Sequence, residues 1–448
     1  MGRYFGTDGI RAAAAAEVFQ PPFLERLAGA ALRVLAGERP SGGRPLIVLG
    51  RDPRHSGEAI ARHLGACWAA AGACVLDAGV VPTPAVALAV REREASFGVV
   101  VTASHNPAAD NGIKFFGAGG TKLSEALEAA LEEAIEAESA PVRRLGGQVE
   151  RIDGAEDYRR FASGQLPAGA LAGCRLVVDC AHGAAAETTP AVLRALGAEV
   201  SALGVMPDGH NINAGVGSEA PAALAAQVRA TGAHLGLAHD GDGDRVLFVD
   251  ETGTVVPGDA VLALLARHLL REGALAEQTL VATVMSNFAL DRWMERLGGR
   301  LVRTPVGDRQ VLHRMLEGGF DLGGESSGHL ILRRHLPTGD GLTAALAFLR
   351  ALLAEDRPVS AVVGEVALFP QLTRDLPVRA KVPLSERPAL QKALAALDAE
   401  LADRGRTLVR YSGTENKLRL LAEAEDRPLC ARTLGRLEAL VGQHLDLA

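Results

Sequence analysis

One supersecondary unit recurs three times along this chain, and that repeat restricts the fold more than any other feature of the sequence. The first copy opens with strand Leu46-Ile47-Val48-Leu49 and a polar turn at Arg51-Asp52. A helical stretch from about Gly57 to Ala71 follows, then Gly72 and strand Cys74-Val75-Leu76. The second copy opens with Leu176-Val177-Val178 and the turn Asp179 to Gly183. Its helix ends near Leu196-Gly197, before strand Glu199-Val200. The third opens with Leu280-Val281-Ala282-Thr283 and the turn Ser286-Asn287. Its helix ends near Leu297-Gly298, before Arg300-Leu301-Val302. A strand, a helix and a second strand joined this way predict a parallel βαβ sheet.

Each copy is followed by a further short strand that runs into a polar or Gly-rich turn. Phe97-Gly98-Val99-Val100-Val101 leads into Thr102-Ala103-Ser104-His105-Asn106-Pro107. Leu235-Gly236-Leu237-Ala238 leads into His239-Asp240-Gly241-Asp242-Gly243-Asp244-Arg245. Phe320-Asp321-Leu322 leads into Gly323-Gly324-Glu325-Ser326-Ser327-Gly328-His329. The carboxyl ends of strands are where open α/β sheets bind ligands. Three equivalent loops rich in chemistry therefore predict three similar α/β domains, with mixed, mostly parallel sheets, around a central cleft.

The tail from roughly Phe369 has a different rhythm. Ser385 to Ala402 reads as a helix with Leu390, Leu394, Leu397 and Leu401 at helical spacing. Strand Thr407-Leu408-Val409, the turn Arg410 to Asn416, strand Lys417 to Ala422 and an amphipathic final helix complete a smaller C-terminal α+β domain. The expected division is 1–150, 151–252, 253–368 and 369–448. The stretch around 138–155 reads as a linker. Several domains also follow from 448 residues, too many for one core.

Charge and cysteines narrow the setting. Lys plus Arg is 47 against 54 for Asp plus Glu, with no long basic run, so nucleic acid is not an expected partner. Five scattered cysteines without a Cys-x-x-Cys pair argue against a disulfide framework or a structural zinc site, and for a reducing cytoplasm. The polar, Gly-rich start from Met1 carries no apolar signal-peptide core, and no apolar run is long enough to cross a bilayer. No membrane association is expected.

The three loops carry distinct chemistry. Ser104, at the lip of a buried strand, is placed as a covalent nucleophile; the blander reading is a turn or helix cap. Its neighbour His105 is adjacent in sequence, which points the two side chains apart and argues against a hydrolase triad. Asp240, Asp242 and Asp244 would repel one another without a cation, and oxygen ligands of this kind suit Mg²⁺ or Ca²⁺. An EF-hand is excluded because Arg245 stands where Gly is required and Val246-Leu247-Phe248-Val249 reads as a strand. The Arg245 guanidinium matches phosphate oxygens. Arg410, Ser412, Gly413 and Thr414 offer a cation, two hydroxyls and an amide in one turn, a reasonable phosphate cradle. Lys114 follows the Ser104 turn; a lone Lys is usually solvated, so a catalytic role rests on its context. Glu325, Ser327 and His329 are candidates to bond sugar hydroxyls. There is neither a P-loop nor a Rossmann fingerprint.

Taken together, these motifs resemble the α-D-phosphohexomutase superfamily over nearly the whole chain. Thr102 to Pro107 is similar to its phosphoserine loop, Asp240 to Arg245 to its metal loop, Glu325 to His329 to its sugar-recognition loop and Arg410 to Glu415 to its phosphate-binding loop. The opening Phe5-Gly6-Thr7-Asp8-Gly9-Ile10-Arg11 resembles the branch acting on glucosamine phosphates. The sequence departs from the usual pattern at Ala12, His239, Pro305, Ser326 and Asn416.

The resemblance implies an isomerase, a monomer or homodimer, that interconverts glucosamine 6-phosphate and glucosamine 1-phosphate for UDP-N-acetylglucosamine and cell-wall precursor synthesis. A phosphorylated Ser104 would join Asp240, Asp242 and Asp244 around one Mg²⁺ per chain. Glucosamine 1,6-bisphosphate would be the activating intermediate. His105, Lys114 and Arg11 become candidates for proton transfer or charge stabilisation. Arg245, Glu325, Ser327 and His329 would contact the sugar phosphate, and Arg410, Ser412, Gly413 and Thr414 its non-reacting phosphate. A phosphomannomutase or phosphoglucomutase, or a non-catalytic sugar-phosphate binder, are the alternatives.

Overall fold

A computed structural model describes residues 2–6, 8–37, 43–137, 147–412 and 416–445. The chain forms two compact units. One comprises Met1–Val284 and Val302–Val363, the other Met285–Leu301 and Gly364–Ala448.

In the first unit the first repeat builds a seven-stranded sheet. Its order is Phe5–Gly6, Gly9–Ala13, Asp110–Phe116, Phe97–Val101, Leu46–Arg51, Cys74–Val80 and Gln148–Arg151. Leu46–Arg51 runs parallel to both Cys74–Val80 and Phe97–Val101, as a βαβ unit requires. Asp110–Phe116 returns antiparallel to Phe97–Val101, which makes the sheet mixed. All five residues of Phe97–Val101 are buried, so this strand lies inside the core, and its β-branched run follows from covering both faces. Trp68 packs edge-on to Phe97 at 5.6 Å and donates its indole N–H to the Ala28 carbonyl at 3.1 Å. Burying a side chain of this class stabilises by roughly 1.5–3 kcal/mol.

The second repeat gives a five-stranded sheet in which Leu235–His239 lies parallel to Arg175–Asp179 and antiparallel to Val246–Asp250. In the third, Leu322–Gly324 is parallel to Thr279–Thr283 and antiparallel to Leu330–Leu332. The three chemistry-bearing loops thus leave equivalent strands, each parallel to the first strand of its own repeat.

The second unit holds a three-stranded antiparallel sheet with Lys417–Ala424 between Gln371–Pro377 and Gly405–Tyr411. Its core includes Leu390, Leu397, Leu418, Leu420 and Leu437. Asn287 joins the segment Met285–Leu301 to this unit, exchanging bonds with the Phe369 backbone at 2.9 and 3.0 Å.

Three expectations need correction. Gln148–Arg151 is not linker but an edge strand parallel to Cys74–Val80. All four residues are exposed, so the apolar alternation that marks a strand is missing. Residues 138–146 lie outside the described residues. Gly154–Ser163 is a helix capped by Asp153, whose carboxylate accepts the Glu156 N–H at 2.9 Å. The helix expected from Ser385 begins at Pro388, which suits a first turn because its missing N–H has no intrahelical partner there.

Candidate active site

The strand Phe97–Val101 delivers Ser104 almost fully buried, at 1% exposure. Ser104 adopts φ +54°, a left-handed backbone that costs a non-Gly residue roughly 1–3 kcal/mol. Local bonds hold it there. The Thr102 hydroxyl accepts the Ser104 N–H at 2.9 Å and donates to Asp52 Oδ2 at 2.7 Å. The Ser104 hydroxyl donates to Asp240 Oδ2 at 2.6 Å. The twist also corrects the expectation that Ser104 and His105 point apart: Ser104 Oγ lies 3.5 Å from His105 Nδ1. A hydrolase triad still does not follow, because at rest the Ser104 hydroxyl donates to Asp240 at 2.6 Å and not to His105.

Asp240, Asp242 and Asp244 are all buried and each offers an oxygen within 4.8 Å of the others. Their outer oxygens are occupied. Asp242 Oδ2 accepts from the Thr83 hydroxyl at 2.6 Å and from Lys114 Nζ at 2.8 Å. Asp244 Oδ2 accepts from Lys114 at 3.1 Å, and Asp240 Oδ1 from the Arg245 N–H at 3.2 Å. Asp242 Oδ1 and Asp244 Oδ1 are buried without a hydrogen-bond partner among the described residues. Burial and the neighbouring Asp244 and Asp242 charges push the Asp240 carboxyl well above its usual range. Two orphaned carboxylate oxygens beside a third, destabilised carboxylate are the donor set of a hard divalent cation such as Mg²⁺, so the residues fit that group.

Lys114 is not a solvated surface lysine. Its ammonium is buried against Asp242, Asp244 and Asp8, the last at 2.9 Å. Burial opposes its charge, but the three carboxylates outweigh burial and hold it protonated well above the usual lysine range.

Above this cluster opens a cavity of about 530 Å³, within the size range of small-molecule sites (~300–1,000 Å³). Arg11, His105, Arg245, Glu325 and His329 line it, together with Asp8 and Asp308. Arg11 Nη2 donates to Asp8 at 3.0 Å. Burial, with Arg245 and Arg11 nearby, lowers the His105 pKa. Glu325 accepts the Gly307 N–H at 3.0 Å, and His329 Nε2 lies 3.1 Å from Asp308. Ser327 is exposed and lies outside the lining. The lining thus sets the guanidinium groups of Arg11 and Arg245 among the carboxylates of Asp8, Asp244, Asp308 and Glu325, and the two guanidinium groups can match phosphate oxygens.

In the second unit Arg410 sits directly across the sheet from Arg419, and the Ser412 N–H bonds the Lys417 carbonyl at 2.8 Å. Burial and the Arg419 charge both work against the Arg410 cation. An anion there would relieve the repulsion between the two guanidinium groups. Gly413 and Thr414 lie outside the described residues.

Sequence reasoning missed four contributors. Asp8 binds Lys114 and Lys122, and Lys122 also pairs with Asp308. Thr83 holds Asp242. The Thr83 signal was available: Val81-Pro82-Thr83-Pro84 follows strand Cys74–Val80 at the same sheet end as the Ser104 loop. Nothing local marks Lys122 or Asp308.

The chain matches the phosphoglucomutase/phosphomannomutase alpha/beta/alpha domain I over residues 2–141, domain II over 158–253, domain III over 257–369 and the C-terminal domain over 374–439. It is 46% identical to a phosphoglucosamine mutase of Symbiobacterium thermophilum, covering 99% of this chain and 100% of that one. It is 44% identical to a phosphoglucosamine mutase of Rhodococcus erythropolis, with coverage of 99% and 100%. A crystal structure of a phosphoglucomutase/phosphomannomutase family protein from Burkholderia thailandensis superposes with a TM-score of 0.82. Identity to it is 25%, over 99% of this chain and 98% of that one. Among the described residues no helix is long and apolar enough to cross a membrane.

Proposed function

We propose that this chain, which belongs to the phosphoglucomutase/phosphomannomutase family, interconverts glucosamine 6-phosphate and glucosamine 1-phosphate through a phosphorylated Ser104. The observation that carries the chemistry is the Ser104 hydroxyl 2.6 Å from Asp240, beside orphaned oxygens on Asp242 and Asp244. The names of relatives at 44–46% identity over essentially full length support the amino sugar as substrate. The proposed domains are 1–150, 151–252, 253–368 and 369–448, with Arg151 moved to the first because it pairs in that sheet.

In this reading Asp240, Asp242, Asp244 and the Ser104 phosphate hold one Mg²⁺. Bound there, the ion would draw negative charge from the phosphoryl oxygens and favour in-line transfer. The Ser104–phosphorus bond breaks as a bond forms to the sugar O1, giving glucosamine 1,6-bisphosphate. The O1 proton leaves the sugar and Ser104 recovers a hydroxyl. The bisphosphate then turns over in the cavity, its O6–phosphorus bond breaks as a bond forms to Ser104 Oγ, the Ser104 proton passes to O6, and glucosamine 1-phosphate leaves with Ser104 phosphorylated again. His105 is the ring within reach of Ser104 Oγ for moving this proton. Lys114 and Arg11 serve as fixed positive charge, since Lys114 is held by three carboxylates and a guanidinium does not give up its proton.

Arg245, Glu325 and His329, which line the cavity, are assigned to the sugar phosphate, without the exposed Ser327, and Arg410, Ser412, Gly413 and Thr414 to the phosphate that is not reacting. The reading needs no nucleic acid, membrane or protein partner. It suits a monomer or homodimer in the cytoplasm. The deciding experiment assays the purified chain with Mg²⁺ on glucosamine, glucose and mannose 6-phosphates. Fastest turnover of the amino sugar is expected; faster turnover of either neutral sugar overturns the substrate assignment.

A further inference from the structure

We infer that Arg54 and Asn213 are positioning residues for Ser104: they grip its carbonyl and so keep the left-handed backbone that turns its hydroxyl to Asp240. This rests on the proposed role of Ser104 as phosphoryl carrier.

Arg54 is completely buried, with no exposed side-chain surface. Its Nη2 donates to the carbonyls of Ser104 at 2.9 Å and Asn106 at 2.8 Å. Its Nη1 donates to the carbonyls of Asp110, at 3.0 Å, and Pro107. Its Nε is held by Asp52 Oδ2 at 2.8 Å, the same oxygen that fixes Thr102. One guanidinium therefore binds four carbonyls of a single turn, using the planar fork that only arginine provides.

Asn213 reaches the turn from another part of the chain, the segment between Glu199–Leu203 and Ala222–Thr231. Its Nδ2 donates to the same two carbonyls, of Ser104 at 2.9 Å and Asn106 at 3.0 Å. Its own N–H is anchored on the Ala181 carbonyl at 2.8 Å. The metal loop closes the arrangement. A Cβ at Gly241 would come within 2.6 Å of the Ser104 carbonyl oxygen and 2.8 Å of Asn213 Nδ2, so only glycine lets that loop lie against them.

A left-handed serine tends to relax to the right-handed or extended backbone that L-residues prefer, and that relaxation would swing Oγ off Asp240. Two independent donors on the Ser104 carbonyl oppose it. Neither Arg54 nor Asn213 lines the cavity, so a ligand there would not touch them.

The test uses Asn213→Gly and Arg54→Lys in the full chain. Asn213 has φ +59°, which glycine adopts without strain, so the substitution removes the Nδ2 donor without forcing a new backbone conformation. Arg54→Lys retains the charge beside Asp52 but cannot bind four carbonyls. For Asn213→Gly, kcat on glucosamine 6-phosphate should fall about tenfold to a hundredfold, with KM within about twofold of wild type. Single-turnover phosphorylation of Ser104 by the 1,6-bisphosphate, read by intact mass, should slow in parallel. The thermal midpoint should fall by no more than about 4 °C, so the protein stays folded at assay temperature. Arg54→Lys, where it folds, should lose more. Wild-type kcat in Asn213→Gly overturns the inference whatever Arg54→Lys does, as does a rate loss matched by an equal loss of folded protein. Wild-type protein without mutase turnover ends the proposed function instead, so the two failures are told apart.

Discussion

The Thr83 hydroxyl donates to Asp242 Oδ2 at 2.6 Å, and the Thr83 N–H bonds the Asp242 carbonyl at 2.8 Å. The first turn of helix Thr83–Glu92 thereby fixes both the backbone and the side chain of one proposed metal ligand. The hydroxyl and Lys114 together take Oδ2 and leave Oδ1 without a partner.

Thr83→Val keeps the β-branched shape and removes that hydrogen bond. Because partners of this kind orient metal ligands, Mg²⁺ half-saturation should rise about tenfold to a hundredfold. A Mg²⁺ titration of activity checks it; an unchanged half-saturation would show that Asp242 needs no such support.

Ser104→Ala should leave the fold intact and lower turnover by at least about a thousandfold, as loss of a covalent nucleophile does. Intact mass after incubation with glucosamine 1,6-bisphosphate should show no added phosphoryl group. Substantial residual mutase turnover would rule out Ser104 as the carrier.

Lys114→Met removes an ammonium shared by Asp8, Asp242 and Asp244. Stranding buried carboxylates costs about 3–5 kcal/mol. The variant should melt well below wild type without Mg²⁺ and recover part of the difference when Mg²⁺ is added, since the ion restores positive charge at two of the three carboxylates. Calorimetry with and without Mg²⁺ reads both effects, and equal melting of the two proteins would refute the account of Lys114.

Acid stability follows from Asp8. Burial raises its pKa, but Lys114, Lys122 and Arg11 outweigh burial and hold the carboxyl well below the usual range. A carboxyl depressed on folding adds stability above its unfolded pKa, about 3.9, and loses it as pH falls through the folded value. Wild-type melting temperature should therefore drop as pH is lowered from about 5. Asp8→Asn should be less stable at neutral pH and show a shallower acid limb. Parallel acid limbs for the two proteins would contradict this.

Glu325 and Arg410 should divide recognition. Glu325→Ala should change the ranking among hexose phosphates, because an unpaired sugar hydroxyl or carboxylate costs about 1–3 kcal/mol depending on the sugar. Arg410→Ala should weaken all of them alike, since a phosphate is common to every substrate. A changed ranking in Arg410→Ala would end that division.

The amino-acid sequence by itself determined the repeats and their loops. Val99-Val100-Val101 must be a buried strand, Pro107 must end the turn after it, and three aspartates in five residues must await a cation. These follow from local sterics, periodicity and charge, which a chain carries before it folds. Tertiary structure decided the partners. Lys114 meets Asp242 and Asp244 from 128 and 130 residues away, and nothing near Lys114 in sequence separates it from a solvated lysine. Ser104 and His105 approach each other only because Ser104 is left-handed, and distant Arg54 and Asn213 hold its carbonyl. Gln148–Arg151 became a strand because Cys74–Val80 offered it an edge, not through any apolar pattern of its own. Pairing between remote charges and remote backbone groups depends on where the packed core brings them, and that is settled only when the whole chain has folded.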